Sequence, residues 1–310
     1  MHIPARVLSV FLLLILLCSC HEGTVTPESV VNMLSLKDSS PPVLLSIQAE
    51  DERTACLQFD EDIFALEGSF PGMETVSKGN ALYVDFGKEI DAGSKVEICG
   101  SVRDNCGNSV TFKVQVWGFN PTPAKLKINE FTTRGSKTQP DRTELKVVRP
   151  GNIAGMVLYD GIPGDFRSMY IFPSYNAETG SFVTVWWCDE LPSGVKTQEA
   201  NNLNFAAGGG LSENNGIMCL SVSPAQGAAV SDCVIWSSGE SSQFGGYGTK
   251  EVQDRVLFAL EKMWWAGDPI FSGWSTSTRS MALNSSGLWY TTVQGGLTFG
   301  GENTAAAFSK

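Results

Sequence analysis

The chain has 310 residues, with 22 Lys+Arg against 33 Asp+Glu, a formal net charge of −11 at pH 7 and 42% hydrophobic residues. An acidic balance of this size argues against generic binding to a phosphate backbone. Only two histidines occur, His2 and His21, so Ser-His-Asp and Cys-His catalysis, histidine general bases and most catalytic zinc sites lack their central residue.

The first element is an apolar run over residues 7–17, preceded by Arg6 and broken only by Ser9. It matches the core of a signal peptide and falls short of the ~20 residues a membrane-spanning helix needs. The run ends Leu17-Cys18-Ser19-Cys20, which resembles a bacterial lipobox. The resemblance implies that residues 1–19 are a lipoprotein signal peptide, cut before Cys20. The Cys20 sulfur would carry a diacylglycerol and its new amino group an acyl chain. Cys18 is then only a small residue in the cleavage pocket, because acylation there would place Leu17 where a small residue is expected. At ~0.8 kcal/mol per buried methylene, two or three chains hold a protein permanently at a membrane. His21 follows Cys20 in place of the aspartate of the enteric retention rule, so the expected location is the outer membrane. Residues 20–41 are polar and rich in Pro and Ser around a short apolar patch, and read as a lipidated tether.

Residues 42–120 show short alternating strands broken by turn residues. Arg53-Thr54-Ala55-Cys56-Leu57-Gln58-Phe59, Ala81-Leu82-Tyr83-Val84-Asp85-Phe86 and Lys95-Val96-Glu97-Ile98-Cys99 all alternate, as do residues 110–117. Strands at this spacing predict an all-β sandwich. The turn Asp104-Asn105-Cys106-Gly107-Asn108 resembles the closing D-x-x-G-N hairpin of bacterial Ig-like domains. Gly107 and Asn108 suit the positive φ of such a turn.

A second domain spans residues 125–303. Ile128-Asn129-Glu130-Phe131, Thr143-Glu144-Leu145-Lys146-Val147 and Gly155-Met156-Val157-Leu158-Tyr159-Asp160 resemble the opening strands of a lamin tail domain. Thr143 and Met156 replace residues that are aromatic in that pattern. Residues 203–205 and 210–220, the return strand with Asp232 and Trp236, Arg279-Ser280 and residues 295–303 extend the resemblance in the same order. It implies an Ig-like β-sandwich used for binding or attachment, with no catalytic role of its own. The expected fold is therefore all-β, two Ig-like β-sandwich domains in tandem, the second with a helical insertion at residues 238–275.

Part of that insertion carries helical periodicity, with Val252, Val256, Leu260, Met263 and Trp264 on one face, Thr249 as N-cap, and Gly267 and Pro269 beyond its end. The strand Phe182-Val183-Thr184-Val185-Trp186-Trp187-Cys188 is bulky on both faces. One reading places the helical insert over its outer face. The other makes Trp187, Trp264, Trp265 and Trp274 an exposed aromatic patch that binds a carbohydrate or a protein. Seven basic residues (Lys125, Lys127, Arg134, Lys137, Arg142, Lys146 and Arg149) outnumber Glu130, Asp141 and Glu144 locally. They read as the solvated face of three strands, with nucleic acid or anionic lipid as the other reading.

Six cysteines follow Cys20. Their spacing fits no zinc site, and nothing in the sequence calls for a cofactor or another metal. A hairpin centred on Gln226 sets Cys219 opposite Cys233, as a disulfide or as two small buried thiols. Cys99 has two candidate partners, Cys56 and Cys106, and Cys188 has none. The sequence thus describes a non-enzymatic, membrane-anchored lipoprotein that presents a lamin-tail-like sandwich to a protein or carbohydrate. The alternative is a histidine-free carboxylate enzyme such as a glycosidase, for which pairs such as Asp189 and Glu190 exist but sit in no recognisable motif. Cys20→Ala should abolish acylation and leave the precursor uncut. Radioactive fatty acid still entering that variant would reject the lipobox.

Overall fold

A computed structural model of the protein describes residues 38–309. The expected signal peptide, Cys20 and all but the last residues of the expected tether lie outside them. Seven strands run between residues 44 and 117: β1 (Leu44–Ala49), β2 (Thr54–Phe59), β3 (Phe64–Ala65), β4 (Glu74–Lys78), β5 (Ala81–Asp85), β6 (Lys95–Arg103) and β7 (Ser109–Trp117). They form two antiparallel sheets, β1-β2-β5-β4 and β3-β6-β7. Alternation puts Leu57, Phe59, Leu82 and Val84 of one sheet against Ile98, Val102 and Val116 of the other. The β6–β7 turn is held by Asp104, whose carboxylate accepts from the Asn108 backbone N–H (2.8 Å) and side-chain amide (2.6 Å). Gly107 sits there at φ +92°, which a side chain would strain.

The second sandwich comprises β8 (Lys125–Phe131), β9 (Arg142–Arg149), β10 (Gly151–Asn152), β11 (Val157–Ile162), β12 (Asp165–Ile171), β13 (Asn176–Ala177), β14 (Phe182–Trp186), β15 (Asn202–Ala206), β16 (Asn215–Ser221), β17 (Val230–Ser237), β18 (Ile270–Phe271), β19 (Met281–Leu283) and β20 (Trp289–Thr291). One sheet runs β15-β14-β9-β8-β19-β20 and the other β12-β11-β16-β17-β18, with β10 and β13 paired separately. The fold is thus all-β: two β-sandwiches in tandem, the second with a helical insertion. Its core joins Ile128, Leu145, Val147, Val183 and Val185 to Leu158, Met218, Leu220 and Val234. Two indoles complete it. Trp187 Nε1 donates to Thr143 Oγ1 (2.9 Å) and Trp236 Nε1 to the Ser212 carbonyl (3.0 Å), so burying them leaves no donor unpaired.

The insertion forms α1 (Lys250–Glu261), capped by Thr249, whose side chain accepts from the Val252 N–H. It stops before Gly267 and Pro269. Trp264 N–H donates to the Ala259 carbonyl and Met263 N–H to the Leu260 carbonyl, the paired bonds of a Schellman ending. Met263 occupies its left-handed position at φ +56°, where glycine is usual. The expectation that α1 covers β14 is corrected by the packing. Val256 and Ala259 press on Val157, Tyr159, Ile217 and Ile235, the outer face of the other sheet. The insertion leaves β17 directly, so it folds back on its own sheet. Residues 298–303 of the C-terminal segment instead lie over the neighbouring strands β8 and β9, and Arg142 of β9 stacks on both Phe299 and Trp186 of β14.

The two sandwiches are packed together. Ile47 N–H donates to the Gln226 carbonyl (2.9 Å), Gln226 Nε2 to the Leu44 carbonyl (2.6 Å), and Ala225 lies in the first core. Asn120 Nδ2 donates to the Asn152 and Ala154 carbonyls (2.9 and 3.1 Å). A Cβ on Gly227 would come within 2.5 Å of Ser46 Cβ, so that approach requires glycine. Among the described residues no helix is long and apolar enough to cross a membrane.

Cys219 and Cys233 are direct cross-strand partners in the β16–β17 register, with sulfurs 3.5 Å apart and both side chains buried. All six described cysteines are free thiols: Cys56 is buried, Cys99 exposed beside Glu97, and Cys188 donates to the Glu190 carbonyl. Burial pushes the Cys219 thiol well above its ordinary range, so it resists oxidants once folded. Folding in an oxidising compartment should therefore yield a 219–233 linked peptide on unreduced mapping. The bridge should add ~3 kcal/mol of stability in the chain-entropy account. Protein folded under reductant should stay unlinked when oxidant is added later. Alkylation of Cys219 when oxidatively folded protein is unfolded without reductant, with no 219–233 linked peptide, would show the pair to be two buried thiols.

Candidate functional site

β18 and β20 are the edge strands of opposite sheets, and both are short. Between them the sandwich opens into a cleft of about 670 Å³. Trp264 and Trp265 enter it from the segment after α1, Trp274 from the loop after β18, and Trp289 from β20. Other rings hold three of these indoles in place. Trp264 packs edge-on with Phe258 (centroids 5.5 Å apart), Trp274 with Phe271 (4.9 Å), and Trp289 with Phe131 (5.4 Å). Phe308 flanks Trp274 at 5.4 Å and is itself covered by the Arg279 guanidinium at 4.2 Å. Trp265 Nε1 is buried without a hydrogen-bond partner.

Three charged groups line the same cleft. Asp232 is half-buried: one oxygen accepts the Ile128 N–H (2.7 Å), tying β17 to β8 across the two sheets, and the other accepts the Cys233 N–H. Burial raises its pKa, and these two backbone donors oppose that rise. Lys127 and Asp268 are exposed and form no hydrogen bond or ion pair. The backbone beyond β20 is occupied: Val293 N–H donates to the Ala306 carbonyl and Phe308 N–H to the Thr291 carbonyl.

The structure thus gathers Trp264, Trp265 and Trp274, three of the four indoles singled out from the sequence. Trp187 is corrected. It is 2% exposed, inside the core, and no ligand in the cleft reaches it. Trp289 takes its place. The signal was the adjacent pair Trp289-Tyr290 in a short strand, the same two-faced pattern as Trp186-Trp187.

A second cluster lies on the outer face of β8 and β9. Glu130 and Glu144 are direct cross-strand partners, and each is fully buried. Ser280 Oγ and Thr298 Oγ1 each donate to Glu130 at 2.5 Å, and the Thr298 N–H adds a third donor. Asn129 Nδ2 (2.7 Å) and the Gly300 N–H donate to Glu144. Arg142 lies beside them, between the rings of Trp186 (4.6 Å) and Phe299 (4.3 Å). Burial raises the pKa of Glu130 and lifts that of Glu144 to about 8, while it lowers that of Arg142. The arrangement that leaves no net buried charge is one ionised glutamate, Glu130, against Arg142, with Glu144 protonated at pH 7. Both carboxyls are sealed beneath residues 298–303, away from any substrate. Asp189 and Glu190 are exposed and lie outside the cleft. The predicted basic face is interrupted: Arg142 is buried and Lys146 is paired with Glu302 at 2.6 Å.

Residues 124–291 match the family model TP_1001_2nd, described as a protein second domain, and the chain belongs to that family. An uncharacterized protein of Treponema pallidum (strain Nichols) is 29% identical over 115 residues, which cover 35% of this chain and 29% of that protein. The match thus spans under a third of that relative's length. No solved structure matches the chain.

The glutamate cluster generates a pH prediction. Glu144 titrates at an ordinary 4.5 when unfolded and at about 8 when folded. The folded state therefore binds the extra proton in that window, and stability falls as pH rises through it. The thermal midpoint should be higher at pH 5 than at pH 8.5, and Glu144→Gln should flatten that slope. Equal slopes in the two proteins would place the ionised group elsewhere.

Proposed function

We propose that this protein is an exported, membrane-anchored lipoprotein without catalytic activity, which binds a protein or carbohydrate partner at the aromatic cleft of its second sandwich. The observation that carries this reading is the convergence of Trp264, Trp265, Trp274 and Trp289 on one cleft. Half-exposed indoles fixed by neighbouring rings lose little side-chain freedom when a ligand packs on them. The lipobox at Cys20 supports the anchor and an outer-membrane location, and the first sandwich acts as a spacer between anchor and cleft.

The lamin-tail-like reading of residues 125–303 has support in the buried network. Glu130, Glu144, Thr298 and Asn303 carry the resemblance in sequence, and they are joined by hydrogen bonds or common partners. Binding is favoured over hydrolysis because the buried carboxyl pair Glu130 and Glu144 is sealed and serves to hold a loop.

The test uses full-length protein labelled with 5-fluorotryptophan, whose eight indoles report separately by fluorine NMR. Probes are soluble glucose, N-acetylglucosamine and mannose tetramers, a set of aromatic and aliphatic tetrapeptides, and the dye anilinonaphthalene sulfonate. Resonances of Trp264, Trp274 and Trp289 should move with at least one probe class while Trp187 and Trp236 stay fixed. Silence of all cleft resonances with every probe would reject the cleft as the binding site.

A further inference from the structure

We infer that the ligand of the aromatic cleft is an uncharged saccharide chain, an inference that rests on reading this cleft as a binding site. Sugar rings would pack against Trp274 and Trp289, and their hydroxyls would bond Lys127 and Asp268.

The lining has the two features a pyranose needs. A sugar ring offers apolar C–H faces and a rim of hydroxyls that both donate and accept. Trp274, more than a third exposed, and half-buried Trp289 supply apolar surface, and each is braced by a second ring, Phe271 or Phe131. Lys127 supplies donors and Asp268 acceptors; neither is hydrogen-bonded within the protein, and the Lys127 charge acts on nearby Asp232. With Asp232 the lining holds two carboxyl groups to one ammonium, so it has no excess of positive charge to hold a phosphate or a polyanion, and an uncharged ligand fits it better.

Competing occupants fit less well. A peptide adding a strand needs an open sheet edge. The β20 edge is taken by residues 306–308, and β18 offers only Ile270 and Phe271. An acyl chain needs an apolar enclosure, and here it would lie over Asp232 and strip water from Lys127 and Asp268, which have no hydrogen-bond partner in the protein. Saccharide hydroxyls replace that water instead of removing it.

The full-length labelled protein is titrated with four neutral tetrasaccharides: β-1,4-linked glucose, N-acetylglucosamine and mannose, and α-1,4-linked glucose. At least one should shift the Trp274 and Trp289 resonances in a saturable way. Trp274→Ala should weaken that binding by about tenfold, with Trp274→Phe recovering part of the loss and Asp268→Asn weakening it separately. Unchanged Trp187 and Trp236 resonances certify that each variant is folded. Saturation by the dye or a tetrapeptide, with no response to any tetrasaccharide, would overturn the saccharide assignment and leave the binding site standing. Saccharide binding unaltered in both folded Trp274→Ala and Asp268→Asn would equally overturn the assignment to this cleft. Silence with every probe would remove the site itself.

Discussion

The second sandwich depends on two glutamates set directly opposite each other on β8 and β9. Like charges at adjacent cross-strand positions repel, and burial makes ionising both prohibitive. The chain meets this by bringing donors to them from a distant part of the sequence. Ser280, Thr298, Gly300 and Asn129 fill the carboxyl oxygens, and Arg142 balances one negative charge. The donors at 298 and 300 come from the C-terminal segment, so satisfying the glutamates fixes its course over the sheet. Asn303 extends the clamp, donating to the Asn129 and Leu283 carbonyls.

That course shapes the cleft. A few residues past the clamp, the backbone pairs with β20 and sets Phe308 against Trp274. The polar cluster and the aromatic cleft are therefore connected in chain order, though they lie on different parts of the sheet. On the opposite sheet, α1 buries Val256 and Ala259 while Leu257, Leu260 and Met263 stay exposed, Met263 at 87%. The helix holds its sheet with a narrow stripe, and its end delivers Trp264 and Trp265 to the cleft. A methionine at the left-handed Schellman position costs backbone strain that glycine would avoid, and no described contact compensates it.

The contact between the two sandwiches changes what a spacer means here. Gln226 bonds the backbone of β1, Ala225 enters the first core, and Asn120 pins the connection between the domains. Polar bonds and close packing at several points favour one arrangement of the two sandwiches over free swivelling. Gly227 makes the approach possible, a constraint imposed by the neighbouring strand and not by the hairpin alone.

Local rules made much of this legible in the sequence. Alternation located the strands, Thr249 marked the start of α1, Asp104 and Gly107 marked a turn, and hairpin symmetry placed Cys219 opposite Cys233. Each depends on residues near one another in the chain, where backbone geometry leaves few options. Tertiary structure decided the rest. A period of two says that Trp186 and Trp187 face opposite ways, but not which side is the core, because both outer faces of this sandwich are covered. The structure put Trp187 inside, laid α1 on the sheet it leaves rather than on β14, and ran residues 298–303 over β8 and β9 of the other. Trp264, Trp274 and Trp289 meet only because β18 and β20 end early at the same side of the sandwich. That is a relation between edge strands of different sheets, which no local pattern encodes.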